Sequence, residues 1–81
     1  MEVYELIPTG NQKSFYGKAL VIWEPDSGTR TLISYGTKIM RINPDGSMVR
    51  FFDEWTHSVG THIKAFSGLT KEEFFDLQKV V

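Results

Sequence analysis

The chain has 81 residues, of which 41% are hydrophobic and 14% aromatic, with a formal net charge of -1. That composition predicts one small folded domain over residues 1–81, with a core built on a few large rings, and it is too apolar for a disordered chain. The near-neutral charge disfavours a general polyanion binder, and the absence of cysteine excludes disulfides and thiolate metal sites.

The longest apolar runs, such as Ala19 to Trp23, are too short to span a membrane. The opening M-E-V-Y-E-L-I-P has neither the basic nor the long apolar stretch of a signal peptide, so a cytoplasmic location is expected. Glu2 to Ile7 alternates, with Val3 and Glu5 on one side and Tyr4 and Leu6 on the other, and predicts a short strand stopped by Pro8-Thr9-Gly10-Asn11. Residues 12–17 are ambiguous. Lys18 to Glu24 is apolar on both sides, which predicts a central strand covered on two faces.

Pro25-Asp26-Ser27-Gly28 reads as a turn, and Thr29 to Tyr35 as the next strand. Gly36 then marks either a bulge or bend or a two-residue turn at Gly36-Thr37. Asn43-Pro44-Asp45-Gly46 is the clearest turn and pairs Lys38–Ile42 with Met48–Asp53 as a hairpin. In that hairpin Met48, Arg50 and Phe52 face one way, and Val49 and Phe51 the other.

After Trp55 the apolar period changes to that of a helix. Thr56 or Ser58 can cap it, and Val59, His62, Ile63 and Phe66 share one face. Gly60 inside that helix marks an irregular first turn or a close packing contact. Leu69 to Phe74 forms a capping box and staple opening a last helix, which carries Phe74, Leu77 and Val81. The fold class is therefore α+β: a four- to five-stranded antiparallel meander with one or two C-terminal helices packed on one face. Phe52, Trp55, Ile63, Phe66, Phe74 and Leu77 are expected in its core, with Trp55 largely buried where sheet meets helix.

Three blocks of residues carry a likeness. They are Lys13-Ser14-Phe15-Tyr16-Gly17-Lys18-Ala19, then Leu32-Ile33-Ser34-Tyr35-Gly36-Thr37, then Trp55-Thr56-His57-Ser58-Val59 through His62-Ile63 to Phe66. In this order they resemble a small uncharacterised domain family of bacteriophages and Gram-positive bacteria. Its pattern is K-S-F-Y-x-K-A, S-Y-N-T and W-S-x-T-T-x-x-H-I-x-x-F. Gly36 stands where that pattern has Asn, and Val59 where it has Thr. The resemblance implies a phage or mobile-element origin and, through it, a protein-binding role.

The residues that could carry chemistry divide into three groups. Ser58 and His62 lie four apart on one helical face, but a hydrolase also needs a buried acid and an oxyanion hole. His57 and His62 diverge by about 140° around a helix, which suits a metal poorly. Lys38, Arg41 and Arg50 sit among Tyr35, Phe51, Phe52 and Trp55, an interleaving that could stack bases, although the basic footprint is missing.

The reading is a non-enzymatic interaction module that binds and modulates a host or phage protein, an inhibitor of a bacterial defence enzyme being one form of it. The alternative is a small nucleic-acid-binding accessory protein. Candidate interaction residues are Tyr35, Lys38, Arg41, Arg50 and His57, with Trp55, Thr56, Ser58, His62 and Phe66 as a structural motif. No cofactor or metal is expected. A second apolar sheet face would need a partner, for which a second copy of the chain is one candidate, as a strand-edge or a face-to-face homodimer. His62 is expected to pack inward and bond a fixed partner, with Ser58 the nearest candidate.

Overall fold

A computed structural model of the chain describes residues 1–8 and 14–80. Five strands, β1 (Glu2–Glu5), β2 (Ala19–Glu24), β3 (Thr29–Ser34), β4 (Thr37–Ile42) and β5 (Met48–Arg50), form one antiparallel sheet in the order β1-β2-β3-β4-β5. Two helices follow, α1 (His57–Ser67) and α2 (Lys71–Asp76). This is the α+β meander with C-terminal helices that the periodicity predicts. Among the described residues no helix is long and apolar enough to cross a membrane.

The register explains where the core lies. Val21 pairs with Leu32 and Leu32 with Met40, so these three side chains share the face beneath the helices. There Leu32, Ile39, Met40 and Ile42 meet Val59 and Ile63 of α1 and Phe74 of α2. Of the expected core residues, Ile63 and Phe74 are fully enclosed. Phe52, Trp55, Phe66 and Leu77 are only partly buried and pack around that cluster. The core therefore rests more on sheet aliphatics than on rings. Trp55, expected to be largely buried, lies across α1 instead: a Cβ built on Gly60 would sit 2.5 Å from its indole. Gly60 thus marks a close packing contact.

The sheet departs from the expected hairpins in instructive ways. The β3–β4 turn is Tyr35-Gly36, one residue earlier than Gly36-Thr37, because Ser34 pairs with Thr37. Both central residues have positive φ, 51° and 77°, as a type I′ turn requires. A register shift between Leu32 and Ile33 also leaves Ile39 without a partner opposite, so Ile39 and Met40 both reach the core. The turn at 43–46 forms as expected, closed by Gly46 N–H to Asn43 O at 3.0 Å and Asn43 N–H to Ser47 O at 2.8 Å. Asp45 accepts from the Ser47 backbone and hydroxyl, which holds its carboxyl below the usual carboxylate range.

The second strand of that hairpin stops at Arg50 instead of reaching Asp53. Phe51 N–H still donates to Ile39 O at 2.8 Å, and the C-terminal segment pairs along the outer edge: Arg50 N–H donates to Gln78 O, and Val80 N–H donates to Arg50 O. α2 ends at Asp76, with Leu77 already extended as the chain enters that pairing. Val81, placed on the last helix by its spacing, lies outside the described residues, as do Thr9, Gly10 and Asn11 of the first expected turn and Gln12 and Lys13 of the ambiguous stretch.

Helix ends follow their local chemistry. The Thr56 hydroxyl accepts from Val59 N–H at 3.1 Å, so Thr56 rather than Ser58 caps α1. Thr70 and Glu73 form the expected capping box on α2, and the bonds from Thr70 hold the Glu73 carboxyl below its usual range.

β2, expected to be covered on two faces, has helices over one face only. Ala19 and Val21 are buried on that side, while Leu20 and Ile22 on the other are partly buried. Among the described residues no element packs over them.

Candidate functional site

Tyr16-Gly17 and Tyr35-Gly36 form a matched pair of turns. In the first, Lys18 N–H donates to Phe15 O at 3.0 Å, and Tyr16 and Gly17 have φ of 54° and 75°. The described part of the ambiguous stretch is therefore a tight turn, not a strand. The two turns are joined directly, since Tyr35 N–H donates to Lys18 O at 2.8 Å. Positive φ at a bulky side chain is uncommon and costs on the order of 1 kcal/mol or more at each site. Both tyrosine rings are nonetheless displayed to solvent, 77% and 52% exposed.

Between these turns and the first turns of α1 lies a cleft of about 300 Å³. Its walls include Tyr16, Lys18 and Tyr35 from the turns, and His57, Ser58 and His62 from the helix. His62 forms the floor. It is 3% exposed, its ring stands edge-on to Phe15 at 4.5 Å and tilted against Tyr35 at 5.6 Å. Its Nδ1 lies 2.7 Å from Ser34 Oγ, a buried hydrogen bond linking α1 to β3. The fixed partner of His62 is thus Ser34, not Ser58. The cause is geometric: the helix turns its inner face to the sheet, and Ser34 is the polar residue beneath it.

Burial, and then the nearby Lys18 charge, push the His62 pKa below its ordinary value, so the ring is neutral at neutral pH. Ser34 is 1% exposed, too enclosed to meet a substrate. Ser58 lines the cleft on the exposed side of the first helical turn. His57 and His62 line the same cleft from different sides of the helix. Among the described residues no three His, Asp or Glu side chains gather as a metal-binding group.

The candidate interaction residues do not share one surface. Tyr35 and His57 meet in the cleft. Lys38 and Arg41 lie on the opposite face of the sheet, stacked toward Phe51 at 4.6 Å and 5.8 Å from its centroid. Arg50 belongs to neither place: its guanidinium donates to Leu77 O, Phe52 O and Asp53, and fastens the C-terminal segment. Lys79 completes that cluster through Asp53, and the two cations hold the Asp53 carboxyl below its usual range. The three cations read as one array in the sequence are thus divided between two faces. Trp55, Thr56 and Phe66 are structural, packing on Gly60, capping α1 and joining the core respectively.

A larger hollow of about 540 Å³ lies where the helix-side face of the sheet runs beyond the helices, lined by Tyr4, Trp23, Arg30, Ile42 and Pro44. It holds no histidine or carboxylate. The smaller cleft is the better candidate, because all three motif blocks converge on it and two strained tyrosines frame it. Sequence reasoning missed Tyr16 and Lys18 as parts of it. The available signal was the repeated Tyr-Gly dipeptide, at 16–17 and again at 35–36.

No curated protein and no solved structure matches this chain. A family model covers nearly all of it, residues 3–79, and the chain belongs to that family, a family of unknown function designated DUF8033.

Proposed function

We propose that the domain is a non-enzymatic binding module that uses the Tyr16–Tyr35 cleft to hold and modulate a partner protein. One observation carries the reading: two tyrosines kept exposed on positive-φ turns at the mouth of one cleft. Backbone strain of this kind persists where it presents a side chain for use. Tyrosine suits that use, since its ring offers a large rigid contact and its hydroxyl a polar one. Lys18, His57 and Ser58 add polar groups around an aromatic centre, the usual anatomy of a protein-binding patch.

The phage or mobile-element origin implied by the three sequence blocks points to a host or phage protein as the partner, a bacterial defence enzyme being one specific form. No catalysis is assigned. Among the described residues the one serine bonded to a histidine, Ser34, is enclosed, and no acid accompanies the pair.

Replacing Tyr35 by Asn separates binding from folding. Asn tolerates positive φ, so Tyr35→Asn should leave stability equal or raised by up to about 1 kcal/mol. Capture of the partner from host lysate, read by mass spectrometry, should be lost with Tyr35→Asn and with Tyr16→Asn, and kept with Lys38→Glu. Capture retained by both tyrosine variants would refute the assignment of the cleft.

A further inference from the structure

The sheet face turned away from the helices is unpaired in a patterned way. Its centre is largely apolar: Leu20, Ile22, Ile33, Val49 and Phe51 are partly buried around the enclosed Thr31 of β3, and Val3 at one side is 54% exposed. Strand alternation and register place these side chains on the face opposite Val21, Leu32 and Met40. The same face has a charge gradient. Glu5 on β1 and Glu24 on β2 lie toward one side, Lys38 and Arg41 on β4 toward the other. None of the four forms a salt bridge with a described residue.

We infer that this face pairs with the same face of a second copy of the chain, about a two-fold axis parallel to the strands. Such an axis sets β3 over β3, and the β1–β2 side of each copy over the β4–β5 side of the other. Ile33 then meets its own counterpart at the centre, and Glu5 and Glu24 of one copy lie near Lys38 and Arg41 of the other. An axis across the strands would stack β2 on β2 and oppose like charges, so the gradient selects the first arrangement. The apolar centre supplies the attraction, and the charges set the orientation.

The size of the face bounds the strength. Five strands at about 4.8 Å spacing and six residues at about 3.3 Å rise make a face of roughly 24 by 20 Å. Two such faces bury on the order of 1,000 Å², the lower edge of stable interfaces, so the dimer is a micromolar, concentration-dependent one.

Sedimentation velocity across a concentration series tests this, with circular dichroism confirming that each variant folds. Wild type should pass from monomer to dimer below about 0.5 mM. Ile33→Glu should weaken pairing by ~30-fold or more, because it sets two carboxylates against each other on the axis. A Glu5→Lys/Glu24→Lys variant and a Lys38→Glu/Arg41→Glu variant should each stay monomeric alone and pair when mixed. Adding Ile33→Glu to both should abolish that pairing. A wild type monomeric at every concentration would overturn the inference and leave the face to a partner of other chemistry. An undiminished Ile33→Glu dimer, or charge variants that do not pair on mixing, would overturn it equally.

Discussion

Gly60 offers a test of how α1 is held on the domain. It lies within the helix, has no positive φ, and donates its N–H to Thr56 O at 2.8 Å. On helix propensity alone, Gly60→Ala should stabilise by about 1 kcal/mol. A Cβ there, however, would stand 2.5, 2.6 and 2.7 Å from three atoms of the Trp55 indole. A fused ring cannot bend away like the end of a flexible chain. It must rotate as a whole, and overpacking of this kind costs about 1–3 kcal/mol. The net for Gly60→Ala is thus between neutral and about 2 kcal/mol destabilising.

In a Trp55→Ala background the obstacle is gone, and the same Gly60→Ala change should stabilise by about 1 kcal/mol. Trp55→Ala itself should cost about 3 kcal/mol, the low end for a large aromatic because the ring is only partly buried. Urea denaturation of wild type, the two single variants and the double variant gives the coupling directly, expected at about 1–3 kcal/mol. An equal effect of Gly60→Ala in both backgrounds would refute the contact as the reason for glycine at this position.

Two further outcomes concern the floor of the cleft. Ser34→Ala leaves His62 Nδ1 buried without its partner and should cost about 1–3 kcal/mol, whereas Ser58→Ala should change stability by no more than about 0.5 kcal/mol; paired denaturation curves check both. The lowered His62 pKa means the unfolded chain binds a proton more readily than the folded one, so this contribution is full above the unfolded value near 6.5 and is lost as pH falls below it. His62→Gln should flatten stability between about pH 5 and 7, and an unchanged slope would refute burial as the cause.

Much of the architecture was legible because it rests on short-range chemistry. Strand alternation, the Asn43–Gly46 turn, the Thr56 cap and the Thr70–Glu73 capping box each depend on a few neighbouring residues, and each formed as their types require. The failures arose where distant segments meet. The β5 strand was read as reaching Asp53 and ends at Arg50, where residues 78–80 pair along its outer edge. The last helix was read as carrying Phe74, Leu77 and Val81, but Leu77 is already extended backbone beside that pairing. Neither meeting leaves a local signal. Two-sided apolarity in β2 was a true observation, but the two sides differ: Ala19 and Val21 are buried on the helix side, and Leu20 and Ile22 opposite are only partly buried.

The cleft was half legible for the same reason. Ser58 and His62 share a helical face by spacing, and the natural reading pairs them. Yet a helix that buries His62 against a sheet gives it whatever polar group the register has placed below, and Ser34 is that group. Its position follows from the β2–β3 register, which sets Ser34 opposite the buried Ala19 on the helix side. The Tyr35-Gly36 turn begins at the next residue and displays the Tyr35 ring at the cleft mouth, and Tyr35 N–H donates to Lys18 O at 2.8 Å, so the turn and the strand pairing that places Ser34 are joined through one hydrogen bond. A substitution that broke this link would act on the mouth and the floor together, which ties the conformation of Tyr35 to the site more closely than its side chain alone would.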